Sequence, residues 1–99
     1  MTVYEMRQTI TASAGVASAI GLNIPGGLIR QVVIRANTDT TVFRANLTDG
    51  SGFRFRDYGY HTGEINDHQM SLAVAGSLAI NITNASPNDT FQLLLKVQE

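Results

Sequence analysis

From Leu28 to Glu99, apolar residues return at every second position, and turn-forming residues interrupt the runs about every ten residues. A period of two sends successive side chains to opposite faces of a pleated chain. Short runs at that spacing fit an all-β sandwich or barrel. The clearest run is Leu28 to Ala36: Leu28, Val32, Ile34 and Ala36 share one parity, and Ile29, Gln31, Val33 and Arg35 the other. Thr40 to Thr48 follows, with Phe43, Ala45 and Leu47 on an inner parity and Val42, Arg44 and Asn46 outside. Asp49-Gly50 is a hairpin signal, because the favoured two-residue turns need a positive φ that Gly and Asp tolerate. Phe53 and Phe55 then alternate with Arg54 and Arg56. Leu78, Ile80 and Ile82 make a further inner row, and Phe91, Leu93, Leu95 and Val97 the last.

The other segments are less regular. Over Val3 to Ala12, Tyr4, Met6 and Ile10 oppose Glu5, Arg7, Thr9 and Thr11, as in a half-buried strand. The Ala content of Ala17 to Ile24 permits a helical turn, but Ile20, Leu22 and Ile24 alternate and favour a strand. Pro25-Gly26-Gly27 reads as its end, since Pro lacks a donor and Gly relaxes the backbone. Asp57 to Gln69 is the most polar stretch and reads as a long connection holding a short strand, Tyr60 to Ile65. Met70, Leu72 and Val74 resume the alternation, Ala75-Gly76-Ser77 reads as a turn, and Asn84 to Asp89 as a loop. The expectation is one domain over residues 1–99, of roughly seven to nine strands. It is an all-β, antiparallel two-sheet sandwich, jelly-roll-like, with an immunoglobulin-like topology as the alternative.

Composition narrows the function. Charged residues make up 15% of the 99, against a typical ~25%. With 43% hydrophobic residues, the chain can bury enough apolar area to fold. A net charge of −1 and a pI near 6.0 supply no basic field for a phosphate backbone, so no nucleic-acid partner is expected. There are no cysteines, which excludes disulfides, thiolate metal sites and cysteine nucleophiles. Met1 to Ala19 contains Glu5 and Arg7 and no long apolar core, so it does not read as a signal peptide. No stretch approaches the ~20 apolar residues of a membrane span. Synthesis in a cytoplasm and no membrane partner are the expectations. Asn-x-Ser/Thr sequons at Asn46, Asn81, Asn84 and Asn88 read as by-products of an Asn/Thr-rich β composition.

Catalytic signals are lacking. There is no Gly-x-Ser-x-Gly elbow and no Gly-rich phosphate loop. His61, Glu64, Asp67 and His68 have metal-ligand character. They sit in a polar connection where such residues are expected anyway, without the two-His pattern of cupins. The reading is a non-enzyme with no catalytic residues, no metal and no cofactor. Arg44, Arg54 and Arg56, with Tyr58 and Tyr60, form a small basic-aromatic set; the near-neutral charge favours pairing with Asp39, Asp49 and Asp57. Tyr58 and Tyr60 could instead stack a sugar, which makes Tyr58, Tyr60 and His61 a candidate ligand loop. The outer parity also holds apolar residues, and contiguous exposed apolar area marks a partner surface. Ile29, Val33, Arg35, Val42, Arg44 and Leu94 are accordingly the candidate interface of a homo-oligomer, with a trimer favoured.

The C-terminal stretch Ser77-Leu78-Ala79-Ile80-Asn81-Ile82-Thr83-Asn84-Ala85-Ser86, continuing Pro87-Asn88-Asp89-Thr90-Phe91-Gln92-Leu93-Leu94-Leu95-Lys96-Val97, together with Asp49-Gly50-Ser51-Gly52, resembles small β-sandwich virion proteins of tailed bacteriophages. Head decoration, or cement, proteins are among them. The resemblance implies a jelly-roll-like structural subunit located in the virion, often trimeric, that clamps capsid proteins from outside. It carries over no functional residues. The second expectation is a carbohydrate- or receptor-binding β-sandwich module.

Overall fold

One strand organises all the others. The computed structural model describes residues 3–13, 15–49, 53–68 and 70–98, with the side chains of 18–26, 55 and 74–76 left aside. The strands are β1 (Val3–Thr11), β2 (Ala17–Ala36), β3 (Val42–Asp49), β4 (Arg54–Thr62), β5 (Glu64–Asp67), β6 (Leu72–Thr83) and β7 (Thr90–Gln98). The first half of β2 pairs with β6; its second half has β7 on one edge and β5 on the other. Leu28 belongs to both ladders, opposite Ala73 and opposite Gln98. The hydrogen-bonded path is therefore continuous, β1-β7-β2-β6-β3-β4 with β5 beside β2. It folds into two layers, β1–β7–β2–β5 and β2–β6–β3–β4. All pairings are antiparallel.

Counting the halves of β2 separately, the strands nest as one rolled-up hairpin: β1 with β7, early β2 with β6, late β2 with β5, and β3 with β4. That nesting is a jelly roll. The jelly-roll-like sandwich expected from the alternation is the observed architecture, and the immunoglobulin-like order is not.

Two of the expected turns lie inside strands. Pro25-Gly26-Gly27 and Ala75-Gly76-Ser77 face each other across the β2–β6 ladder, with Ile24 opposite Gly76 and Asn23 opposite Ser77. Register shifts fall between Ala19 and Leu22 and between Ile24 and Gly27. A strand that serves two sheets must bend, and a bulge with Pro and Gly bends it without reversing the chain. The expected long connection over Asp57 to Gln69 is mostly strand as well. β4 runs to Thr62 and β5 starts at Glu64, with Gly63 alone between them at φ 78°. A Cβ on Gly63 would stand 2.8 Å from the Asp39 carbonyl oxygen. The Gly63 N–H donates to Thr41 O at 2.7 Å, and its carbonyl accepts from Ala36 N–H at 2.8 Å. The tip of the expected Asp49-Gly50 hairpin, residues 50–52, lies outside the described residues. Its base is closed by Asp49 N–H to Phe53 O at 2.9 Å and Phe53 N–H to Asp49 Oδ1 at 2.9 Å.

The inner rows read from the alternation meet in the core. Phe43, Ala45 and Leu47 of β3, with Ile80 and Ile82 of β6, lie against Val32 and Ile34 of β2 and Phe91, Leu95 and Val97 of β7. Phe43 and Phe91 meet edge to face with centroids 5.1 Å apart, joining the two layers. Each such fully buried side chain contributes about 1.5–3 kcal/mol relative to exposure. Ile29 corrects the sequence reading: it is completely buried. Ile29 pairs with Val97 while Gln31 pairs with Lys96, so Arg30 is an extra residue on β2. That bulge flips the parity and brings Ile29 into the row of Val32 and Ile34.

Candidate functional site

The outward side chains of β3 stand between those of β6 and β4, and cross-strand pairing sets them in rows. Thr83, Arg44 and Tyr60 form one, Asn81, Asn46 and Asp57 the next, and Ala79, Thr48 and Arg54 the third. Directly paired residues share a face and lie close enough to interact. Tyr60 dominates this surface: it is 63% exposed. Its hydroxyl accepts from Asn84 Nδ2 at 2.8 Å, and the Arg44 guanidinium lies 5.8 Å from its ring centroid. Asn84 reaches it from a left-handed conformation (φ 58°) just after β6, which Asn tolerates better than most residues.

Asp57 is the acceptor at the centre. Gly59 N–H donates to its Oδ1 at 3.0 Å; Arg44 Nη2 and Arg54 Nη1 donate to its Oδ2 at 3.1 and 3.3 Å. The Gly59 amide first, and then the Arg44 guanidinium, hold this carboxyl below its ordinary range. Next to it, Asn81 Nδ2 donates to Asn46 Oδ1 and to Thr48 Oγ1, both at 3.0 Å. The result is an open face with a fixed aromatic ring, an ionised carboxylate and several oriented donors. Such a face can stack an apolar ring and hydrogen-bond its substituents.

The sequence-predicted ligand residues divide. Tyr58 and Tyr60 share a parity, but Ala45 pairs with Gly59 and Asn46 with Asp57, so Tyr58 is the extra residue of a bulge, beside Gly59 at φ 69°. Tyr58 therefore turns away from the face and packs against the core. Its hydroxyl donates to Asp67 Oδ2 at 3.0 Å and lies 3.8 Å from Met70 Sδ. Burial first, and the Asp67 carboxylate second, push the phenol above its usual range. Tyr58 closes the seam between β4 and β5 and is not a stacking platform, which corrects the expectation. His61 is exposed, pairs with Phe43, and so stands on the side of β4 away from Tyr60. Its Nε2 donates to the Tyr58 carbonyl at 3.0 Å. The expected loop is strand β4, and of the three residues Tyr60 alone belongs to the face.

The pairing of arginine with aspartate read from the charge balance is present at Asp57, while Arg56 lies 3.9 Å from Asp67. His61, Glu64, Asp67 and His68 do not converge. Glu64 pairs with Arg35 at 3.0 Å, Asp67 serves Tyr58, and no trio of metal-ligating side chains forms among the described residues. The candidate interface residues are also dispersed. Ile29 is core, Val33, Arg35 and Leu94 lie on the outer face of β1–β7–β2–β5, and Val42 and Arg44 lie on the outer face of β3. They form no single surface. Sequence reasoning overlooked Asp57 as a site residue, along with Asn46, Asn81 and Asn84. Asp57 was visible only as an arginine partner, and the one visible signal of the three asparagines was the cluster of Asn-x-Ser/Thr sequons, which an Asn/Thr-rich β composition also explains.

No family model matches this chain, and no curated protein does. Among solved structures it is similar to the crystal structure of FLHE, with a TM-score of 0.51 and 12% identity over 99% of this chain and 97% of that one. At that identity the likeness shows the fold alone. Two looser matches are the C-terminal CBM6 of LamC, a marine laminarinase from Zobellia galactanivorans, and the carbohydrate-binding module CBM36 in complex with calcium and xylotriose. The first has a TM-score of 0.49 and 11% identity over 98% of this chain and 100% of that one. The second has 0.42 and 15%, over 96% and 91%.

Proposed function

We propose that this protein is a carbohydrate-binding β-sandwich module that takes a sugar on the outer face of β6, β3 and β4. The observation that carries the reading is Tyr60, an exposed ring held by Asn84 and bordered by the Asp57–Arg44–Arg54 cluster. A pyranose has a C–H face that packs on an aromatic ring, and a rim of hydroxyls that both donate and accept. Asp57 offers an acceptor beside the ring, and the two guanidiniums offer donors in a planar fork. The side chains already hold one another, so little conformational freedom is lost when a ligand arrives. A nucleic acid fits this face poorly, since Asp57 pairs with both Arg44 and Arg54 and leaves one net positive charge among the three.

This reading takes precedence over the virion decoration role, because the residues named for a decoration interface are divided between two faces and the core. The test is a glycan array followed by calorimetric titration. Binding that survives Tyr58→Phe and disappears in Tyr60→Ala supports the proposal. Binding indifferent to Tyr60→Ala, or none across neutral and acidic glycans, overturns it.

A further inference from the structure

Most strand edges in this molecule are covered or interrupted. Late β2 has a neighbour on each side, and β7 lies between β1 and β2. β5 is four residues long, and the β3–β4 ladder is broken by two register shifts. Short strands and bulges are the usual protection against pairing with another chain. β1 has neither. It runs for nine residues, Val3–Thr11, in unbroken register with β7, with no Pro, Gly or Lys along it. Among the described residues no strand pairs with its other edge.

The main-chain groups of alternate residues point to opposite edges of a strand. Ala12, just beyond β1, donates its N–H to Asp89 O at 2.8 Å and accepts from Asn88 N–H at 3.1 Å, so its main chain faces the β7 side. Ser13 faces the other way and exchanges bonds with Val16 at 2.8 and 3.1 Å. Counting back, Val3, Glu5, Arg7, Thr9 and Thr11 turn N–H and C=O to the open edge, and all five are exposed. A second copy lying antiparallel on this edge sets these residues opposite one another. The register then decides the charges. Centred on Glu5 or on Arg7, the pairing puts like charges directly opposite, which is destabilising. Centred on Gln8, it puts Glu5 and Arg7 opposite threonines. Centred on Met6, it puts Glu5 of each copy opposite Arg7 of the other. Within one chain Glu5 and Arg7 already pair at 3.2 Å, so the charges alternate around the seam. Met6, half-buried and packed against the core, meets its copy at a non-hydrogen-bonded position, where side chains stand closest.

We propose that the open edge of β1 is a self-association surface: two copies of this chain pair antiparallel about Met6, with Glu5 opposite Arg7, and join their β1–β7–β2–β5 layers into one continuous sheet. Main-chain bonds supply the attachment, and the Glu5–Arg7 pattern selects the register and the partner. A twofold pair of this kind uses up the edge of both copies, so the assembly closes at two. The Tyr60 surface lies on the other layer and stays open, and the two proposals can fail separately.

The test is the solution mass of the full chain over a concentration series, by size-exclusion chromatography with light scattering. The expected result is a monomer–dimer equilibrium that rises to twice 10.7 kDa. Glu5→Arg and Arg7→Glu each set like charges opposite across the seam, and each should weaken association about tenfold or more. Mixed in equal amounts, the two variants again place Arg opposite Glu throughout and should dimerise, a rescue that a misfolded variant cannot give. The proposal is overturned if the unaltered chain stays monomeric at millimolar concentration or forms a trimer. It is overturned equally if either single variant dimerises as well as the unaltered chain, or if the mixture stays monomeric.

Discussion

Tyr58 and Tyr60 stand two residues apart on β4, one in the seam between the layers and the other on an open face. In a regular strand they would point the same way. One bulged position separates them, and Gly59, at φ 69°, makes the bulge possible. The same glycine amide donates to Asp57, so a single irregularity both withdraws one tyrosine into the seam and fixes the carboxylate beside the other. The lesson is that an extra residue in a period-two element reassigns side chains wholesale, and can build a seam and a site in one step.

That contrast can be broken from the seam side first. Tyr58→Ala removes a half-buried ring and leaves Asp67 without its donor. It should cost about 2–3 kcal/mol by urea unfolding. A loss below about 0.5 kcal/mol, the ordinary surface value, would mean that the ring does not close the seam. Tyr58→Phe should cost about 1 kcal/mol, the hydrogen bond alone. It also has a pH signature. The folded state raises this phenol, so its stabilisation is complete below the unfolded value of about 10 and is lost as pH climbs beyond it. Tyr58→Phe should flatten that alkaline limb, and an unchanged limb would assign it to another group.

Gly59→Ala comes next. A Cβ there meets nothing within 4 Å, so the cost is conformational, about 1–2 kcal/mol for a left-handed L-residue. It should lower both stability and glycan affinity, because seam and face share the bulge. An effect on one without the other would separate them. Tyr60→Ala sharpens the contrast from the face side. Stability should stay within about 0.5 kcal/mol by the same unfolding assay, while titration calorimetry loses the glycan signal.

The smallest effect concerns pH at the face. Asp57 is held below its ordinary range, so its contribution is present above the unfolded value of about 3.9 and lost as pH falls through its lower folded value. Glycan affinity should therefore be flat between roughly pH 5 and 8. A loss centred near neutrality would mean that this carboxylate is not the acceptor.

Much of the core was legible from the chain. Phe43, Ala45 and Leu47, then Leu78, Ile80 and Ile82, then Phe91 through Val97 alternate locally, and a local period needs no knowledge of partners. Ile29 and Tyr58 were misplaced for one shared reason. Each lies beside a register shift, at Arg30 and at Tyr58 itself, and a shift is defined by the strand opposite. Pro25-Gly26-Gly27 and Ala75-Gly76-Ser77 have turn composition, yet they lie inside two long strands, on either side of a register shift in the β2–β6 ladder. The candidate site was legible only in Tyr60 and its arginines. Asp57, Asn81 and Asn84 reach it from positions 24 or fewer residues away from Tyr60 in sequence, but which face each takes depends on pairing.

The sequence by itself determined the all-β class and the inner rows of a two-sheet sandwich, because alternation and burial act over a few neighbouring residues; strand pairing chose the jelly roll over the immunoglobulin-like order. Tertiary structure alone decided where the bulges fall, which tyrosine faces water, and that Asp57, Asn46 and Asn81 stand in one row. Those outcomes depend on the register of strands distant in the chain, and a slip of one residue exchanges the two faces.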